Sequence, residues 1–200
     1  MTPTRNLLAL GSALGATLAL APQLATAQTY VVDPSASSVT WTGSKVIGGG
    51  HTGTVDLASG TIVLDDGVLT GGTFAADMQT IAVTDLSGSA AEKLAGHLFS
   101  GDFFDTAEHP GATFAVTSVE PTGQGAYAVT GDLTIKGETH AVTFPATLST
   151  EGDRIVASGT ATVDRTKYGV RYGSDSFFDN LGDKAIANDF ELDIKLVANQ

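Results

Sequence analysis

The histidines are the first side chains to consider as metal ligands or general bases, and their spacing argues against both roles. The four histidines, His51, His97, His109 and His140, are far apart in sequence, and no His-Glu-x-x-His or Glu-x-x-His pattern occurs. His97 lies among apolar residues at helical spacing, which favours a partly exposed surface group, and His109 lies in a predicted loop. The chain has no cysteine, which excludes disulfides, thiolate metal sites and a cysteine nucleophile. We therefore expect no metal and no cofactor.

The carboxylates offer one cluster, Asp102 and Asp105, on either side of two phenylalanines. A glycosidase needs two inward carboxylates at a fixed separation, and nothing in the sequence locates such a pair. Aspartate strongly favours turns and caps, which is the simpler interpretation of both residues. The chain has no Gly-x-Ser-x-Gly motif, and the triple glycine at 48–50 lacks the lysine of a phosphate loop. No catalytic residue is predicted, so an enzyme acting on a lipid or a sugar is the second interpretation.

The charge of the chain restricts its partners. Its 200 residues carry 22 acidic and 10 basic side chains, for a formal net charge of -12 and a pI near 4.4. Binding to nucleic acid depends on clustered lysine and arginine, and no two basic residues are adjacent. Nucleic acid and anionic membrane surfaces are therefore poor partners.

The N-terminal residues 1–27 have the layout of a secretory signal peptide. Arg5 precedes an apolar stretch at residues 7–20, and Ala25-Thr26-Ala27 provides an A-x-A cleavage pattern. A transmembrane anchor is the alternative, but this stretch is shorter than the roughly 20 residues that span a bilayer. We expect cleavage before Gln28, one domain over residues 28–200, no stable membrane insertion and a periplasmic location.

Most of the chain after residue 27 alternates apolar and polar residues, as half-buried antiparallel strands do. Residues 190–196 are the clearest case, with four apolar side chains on one face and three charges on the other. The other predicted strands lie at 39–41, 51–57, 60–65, 68–78, 114–116, 127–136, 139–148 and 155–165. Pairs such as Asp66-Gly67 and Lys136-Gly137 suit the tight turns between them. Because closure leaves few exposed strand edges, this all-β meander of eight or so strands predicts a barrel.

Two segments break the alternation. Residues 89–99 place apolar side chains at helical spacing, with Ser89 three residues before Glu92 as a capping box, and predict a short helix laid across the barrel. Residues 167–184 are irregular, with aromatic residues among glycine, serine and aspartate. The aromatic residues of the irregular segments either gate the mouth of the barrel or plug its end.

The small side chains on the apolar phase of the strands leave room inside the barrel. They are Gly43, Gly72, Gly131, Gly159, Ala76, Ala112, Ala146, Ala157 and Ala161. Close-packed interiors do not normally tolerate empty volume, so an apolar guest is one interpretation. The other is a flattened sandwich in which large residues interdigitate with these small ones.

Several segments, in chain order, resemble the YceI-like family of exported, lipocalin-like barrel proteins. They are 30–39 (YVVDPSASSV), 97–105 (HLFSGDFFD), 109–110 (HP), 112–114 (ATF), 130–139 (TGDLTIKGET) and 164–170 (DRTKYGV). The last departs slightly, because the family often has asparagine where this chain has Asp164 and phenylalanine where it has Tyr168. The resemblance implies an eight-stranded antiparallel barrel with a helix at its mouth, an apolar pore that holds an isoprenoid or similar lipid, and often a homodimer. It implies no catalytic residue.

The expected function is therefore that of a periplasmic carrier that sequesters a lipid, with a purely structural stress protein as the third interpretation. The side chains predicted to contact the ligand from the strands are Trp41, Phe74, Met78, Phe114, Val129 and Leu133. Those predicted to contact it from the helix and the irregular segments are Leu94, Leu98, Phe99, Phe103, Phe104 and Phe178.

Overall fold

The computed structural model describes residues 27–200. Nine β-strands and one α-helix account for most of them: β1 (Gln28–Val32), β2 (Ser38–Lys45), β3 (Gly50–Asp65), β4 (Val68–Val83), α1 (Gly88–Phe99), β5 (Gly111–Gly123), β6 (Ala126–Ile135), β7 (Glu138–Glu151), β8 (Arg154–Asp164) and β9 (Ile186–Asn199). Short 3₁₀ helices lie at Arg165–Tyr168 and Gly182–Lys184. The predicted signal peptide, apart from Ala27, lies outside the described residues.

The strands form one closed antiparallel barrel. Each strand from β2 to β9 pairs with the next along the chain, and β9 returns to pair with β2. Closure confirms the predicted all-β, eight-stranded barrel, in which every strand from β2 to β9 has two neighbours and few backbone groups remain at a sheet edge.

The ninth strand shares a barrel position with β2. β1 pairs with β3 at 61–64 and with β9 at 198–199, whereas β2 pairs with lower-numbered residues of the same two strands. Asp33 ends β1 by accepting hydrogen bonds from the backbone N–H and hydroxyl of Ser35. β1 and β2 are therefore one strand interrupted by a turn, which reconciles nine segments with eight barrel positions.

Turn chemistry sets the strand boundaries as predicted, with one exception. Asp66-Gly67 and Lys136-Gly137 both have two successive positive φ angles, which suit the twist of a two-residue hairpin. The predicted strands at 51–57 and 60–65 form a single strand, β3, because the irregularity near Ser59 shifts the pairing register without ending it.

The predicted helix exists, but its capping box is wrong. α1 begins at Gly88 with Ser87 as the N-cap, so Ser89 lies inside the helix and cannot cap it. Gly88 itself has a positive φ of 59°, which makes the chain turn sharply from the preceding loop into the helix. Leu98 is the buried residue of α1 and packs in a cluster with Val39, Met78 and Phe103.

The two ends of the barrel differ in their packing. At the end away from α1, a cluster of buried aliphatic residues fills the interior: Val32, Ile62, Leu64, Ile155, Leu196 and Ala198. At the other end lie α1, the turns at residues 100–110 and the irregular segment 165–185. We call these the floor and the mouth of the barrel.

Candidate ligand-binding cavity

A cavity of about 250 Å³ lies inside the barrel between the floor and the mouth. Its wall includes Ile62 and Leu196 from the floor cluster and reaches Leu98 and Phe103 at the mouth. The residues that form the wall are apolar except for Thr113, Ser158, Arg165 and Asp189. Water needs two to four polar partners to be held in a cavity, so this one suits an apolar guest.

Nine of the twelve side chains predicted to contact a ligand lie on the cavity wall. They are Trp41, Phe74, Met78, Leu98, Phe103, Phe104, Phe114, Val129 and Leu133. The strand residues among them come from β2, β4, β5 and β6, because alternate residues of each strand point to the same face. Contact between these residues and a ligand stays a prediction.

The other three predicted residues lie off the wall. Leu94 and Phe99 pack behind it, against the buried cluster that contains Leu98 and Phe103. Phe178 does not belong to the mouth lining, because its side chain is 51% exposed on the outer rim. The backbone N–H of Phe178 donates to the carbonyl of Ser174 in a turn, and Phe178 is not among the residues that line the cavity.

Aromatic rings cover glycines on neighbouring strands. A Cβ at Gly131 would meet the Phe114 ring, one at Gly53 would meet Trp41, and one at Gly60 would meet Phe74. Phe74 also covers Gly72. Gly131 and Gly72 were predicted to open space inside the barrel, but aromatic rings cover both glycines and neither lines the cavity. The other seven small residues predicted to leave room do line it. Rings that lie over glycines take up less of the interior than rings that project across it.

Sequence reasoning missed part of the wall. Leu57, Phe144, Ile186, Phe190, Leu192 and Ile194 also line the cavity. The alternation of residues 190–196 already placed Phe190, Leu192 and Ile194 on one face, so that signal was available. Ile186 carried no such signal, because it lies at a strand end. Arg165 ended the predicted strand 155–165, but in the structure it begins a 3₁₀ helix.

Hydrogen bonds position Phe103 at the mouth. The Lys136 Nζ donates to the carbonyl oxygens of Gly101 at 2.7 Å and Phe103 at 2.9 Å, which joins this turn to the β6–β7 hairpin. The His97 ring contacts both Phe103 and Tyr172 edge-on, with centroids 4.8 and 4.5 Å away. His97 is therefore half-buried between two aromatic rings, and Phe103 is held from both sides.

Arg165 is a buried cation beside the cavity. Its side chain is 4% exposed and donates hydrogen bonds to the carbonyl oxygens of Val170, Tyr172, Ile186 and Ala187. Its guanidinium carbon lies 5.8 Å from the centre of the Phe103 ring. Desolvation lowers the pKa of Arg165, although the nearby charge of Asp164 opposes the shift.

Within residues 27–200, no group of three or more histidines and carboxylates is placed to hold a metal ion. Hydrogen bonds from Ser35 and from His51 hold the pKa values of Asp33 and Asp85 below their usual range, but both carboxyls are at the surface. Asp105 occupies a turn with a positive φ of 49°, as the turn interpretation predicts.

A family model described as the YceI-like domain matches residues 30–198 of this chain. This range includes every strand from β2 to β8, three of the five residues of β1 and all but the last residue of β9. The chain belongs to the YceI-like family. The shared fold of the family accounts for the agreement between the resemblance drawn from the sequence motifs and the barrel.

Curated relatives cover a smaller part of the family domain. A protein of Pseudomonas putida named "UPF0312 protein" is 40% identical over 81 residues, and one of Pseudomonas syringae pv. tomato with the same name is 37% identical over 81 residues. Each match covers 38% of this chain and 42% of the relative. The chain therefore matches less than half the length of these relatives.

Solved structures share the fold over most of the chain. BcnA of Burkholderia cenocepacia has a TM-score of 0.69 at 23% identity, covering 84% of this chain and 99% of its own. A polyisoprenoid binding domain from Saccharophagus degradans, implicated in plant cell wall breakdown, has a TM-score of 0.64 at 16% identity, covering 85% and 97%. At these identities the likeness establishes the fold. Within residues 27–200, the YceI-like chain has no helix of the length and apolar character needed to cross a bilayer.

Proposed function

We propose that this YceI-like protein binds and carries a long-chain isoprenoid or similar lipid inside its barrel. The observation that carries the proposal is the continuous apolar cavity of about 250 Å³ between the floor and the mouth. An apolar cavity of about 150 Å³ already stays dry and takes up benzene. The solved Saccharophagus degradans domain, named for polyisoprenoid binding, shares this fold and supports the same class of ligand.

Energetics favour an occupied cavity. Empty volume costs on the order of 24 cal/mol per Å³, so a vacant cavity of this size would cost on the order of 6 kcal/mol. That is comparable with the about 5–15 kcal/mol by which a typical domain is stable. Burial of each methylene contributes about 0.8 kcal/mol, so a hydrocarbon chain binds without many polar contacts.

The ligand passes through the mouth in this proposal. The floor is filled by buried aliphatic side chains, whereas the wall at the mouth is built from Leu98, Phe103 and Phe104 in a helix and turns outside the barrel sheet. Segments outside the sheet have fewer backbone hydrogen bonds to break when they move. Formation of a homodimer stays a prediction of the family resemblance.

The proposal places this carrier in the periplasm. The A-x-A pattern at residues 25–27 supports export, with cleavage before Gln28. β1 begins at Gln28, so cleavage there leaves the whole barrel intact. An enzymatic role has less support, since the wall carries few polar side chains and no convergent carboxylates.

The test is to measure lipid bound to purified protein by mass spectrometry of an organic extract, after incubation with a total bacterial lipid extract. Val129 is buried and faces the cavity, so Val129→Asp places a carboxylate in the wall and should abolish lipid retention because of its desolvation cost. Thr130→Asp is the matched control, because Thr130 is the next residue of β6 and faces outward.

Circular dichroism and thermal unfolding must first show that both variants are folded. The proposal expects one long-chain lipid class in extracts of the parent and of Thr130→Asp, and none from folded Val129→Asp. Lipid-free parent protein, or equal lipid in folded Val129→Asp, would contradict it.

A further inference from the structure

Arg165 presents a problem of charge compensation at the mouth of the barrel. It is almost fully buried, yet no carboxylate in residues 27–200 lies within ion-pairing distance of it. Buried charges are normally paired, because an unpaired ion in an apolar environment carries a large desolvation cost. The neighbouring Asp164 is engaged elsewhere, since its Oδ1 accepts hydrogen bonds from the backbone N–H and the hydroxyl of Thr166.

Carbonyl oxygens satisfy most of the guanidinium but do not neutralise it. The Nε donates one hydrogen bond, the Nη1 donates two and the Nη2 donates one, all to backbone carbonyls at 2.9–3.1 Å. A guanidinium has five N–H donors, so one N–H on Nη2 has no partner within residues 27–200. The face of Phe103 supplies only a weak cation–π contact.

The position of Arg165 at the mouth would allow its uncompensated charge to contact a bound ligand. Among residues 27–200, Arg165 is the one cationic residue on the cavity wall, and it lies beside Phe103 at the mouth. A lipid chain that enters through the mouth would leave its head group near this end. An oxyanion there would form a charge-assisted hydrogen bond with the unpartnered N–H in a site of low dielectric.

We propose that Arg165 recognises an oxyanion head group, a carboxylate or a phosphate, on the lipid bound in the cavity. The inference rests on the proposed function and adds to it the chemical class of the head group. The apolar wall supplies affinity for the chain, and Arg165 selects lipids with an anionic head over neutral lipids with the same chain. The carbonyl network keeps the guanidinium in place while the cavity is empty.

The test compares probes that share one isoprenoid chain and differ in the head group: farnesol, farnesoic acid and farnesyl phosphate. Binding is followed at pH 8 through the fluorescence of Trp41, which is the sole tryptophan and lies on the wall. The net charge of -12 disfavours anions in general, so a preference for an acid over the alcohol reports a local site. We expect the parent to bind at least one of the acids about 10-fold to 100-fold more tightly than farnesol.

Two variants separate Arg165 from other cations. Arg165→Gln removes the charge and should reduce the preference for the acid to about 2-fold or less while farnesol still binds. Arg171→Gln is the matched control, because Arg171 is an exposed guanidinium at the same end that stacks over Phe177. The preference should persist in Arg171→Gln. The ratio of the two affinities is measured because a purely structural defect would weaken the binding of the acid and the binding of the alcohol equally.

The outcomes distinguish the inference from the function on which it rests. Equal binding of farnesol and both acids by the parent protein overturns the role of Arg165 and leaves the carrier function in place, and this comparison needs no variant to fold. An acid preference that survives in folded Arg165→Gln overturns it as well. If no probe binds, the carrier function fails and the inference fails with it. Preference for the carboxylate or the phosphate identifies the head group.

Discussion

The ring of Phe114 occupies the space that a Cβ on Gly131 would need. Phe114 lies on β5 and Gly131 on the adjacent strand β6, so the ring packs across the strand boundary and remains close to the wall. Trp41 over Gly53 and Phe144 over Gly159 repeat the arrangement around the barrel. Glycines in strands usually weaken a sheet, but here each makes room for an aromatic ring beside an open interior.

Gly131→Ala should therefore destabilise the barrel and reduce its capacity for ligand. The new methyl group would collide with the Phe114 ring and with the carbonyl oxygen of Ala115. Overpacking of this kind should lower the free energy of unfolding by about 1–3 kcal/mol. Gly43→Ala is the comparison, because a Cβ there meets nothing within 4 Å. Thermal unfolding should show a lower melting temperature for Gly131→Ala alone; equal melting temperatures would contradict the packing account.

Phe114→Ala should be partly tolerated for binding. The interaction between the wall and an apolar chain is nondirectional, so loss of one ring removes contact area without leaving an unpaired polar group. Because Phe114 already borders empty space, the loss of stability should lie below the about 3–5 kcal/mol of a typical buried Phe→Ala change. Titration with farnesol should give an affinity within about 10-fold of the parent, roughly 1.4 kcal/mol; complete loss in folded protein would show that Phe114 makes a specific contact.

Tyr168 should make stability depend on alkaline pH. Burial, assisted by the negative charge of Asp164, raises the pKa of Tyr168 to about 12 from 10.0. The unfolded chain loses this proton first, so stability is constant below about pH 10 and falls by about 2 kcal/mol as the pH rises to about 12. Urea unfolding across this range should show the decline in the parent relative to Tyr168→Phe.

The same variant has a second consequence at neutral pH. The Tyr168 hydroxyl is buried without a hydrogen-bond partner in the described structure. Tyr168→Phe removes that unsatisfied group and should stabilise the protein by about 1 kcal/mol at pH 7. A destabilised Tyr168→Phe would show that the hydroxyl has a partner.

Signal-peptide cleavage is tested by the mass of the exported chain, which should begin at Gln28. Ala27→Phe should block processing, because the residue before the cleavage site must be small, whereas Thr26→Phe should be processed normally. Intact mass spectrometry of the periplasmic fraction provides the measurement. Parent protein in that fraction that retains residues 1–27 would refute the prediction.

Alternation was sufficient to predict the barrel and much of its wall. Residues 127–136 show why: Val129 and Leu133 lie on the apolar phase of this segment, and β6 places both on the cavity. The interruption between β1 and β2 was not predicted, because it depends on the local hydrogen bonds of Asp33. Irregular segments carry no period, so the sequence did not distinguish exposed Phe178 from buried Phe103.

Arg165 illustrates the same limit for the site. The sequence placed it in a family motif but assigned it no role, since burial of a charge among carbonyls arises from chain segments that meet only in three dimensions. Val170, Tyr172, Ile186 and Ala187 supply those carbonyls from two separate segments.

Quenching of Trp41 by a brominated chain tests the carrier account most directly. Bromine quenches indole fluorescence only at close contact, and Trp41 is the sole tryptophan and lies on the cavity wall. A long-chain fatty acid with bromine at mid-chain should quench Trp41 fluorescence saturably in the parent. Addition of the same acid without bromine should displace the brominated acid and restore the fluorescence. Quenching should be absent in folded Val129→Asp and present in Thr130→Asp. Absence of saturable quenching in the folded parent, with Trp41 emission unchanged by any long-chain probe, would contradict the claim that the barrel holds a lipid.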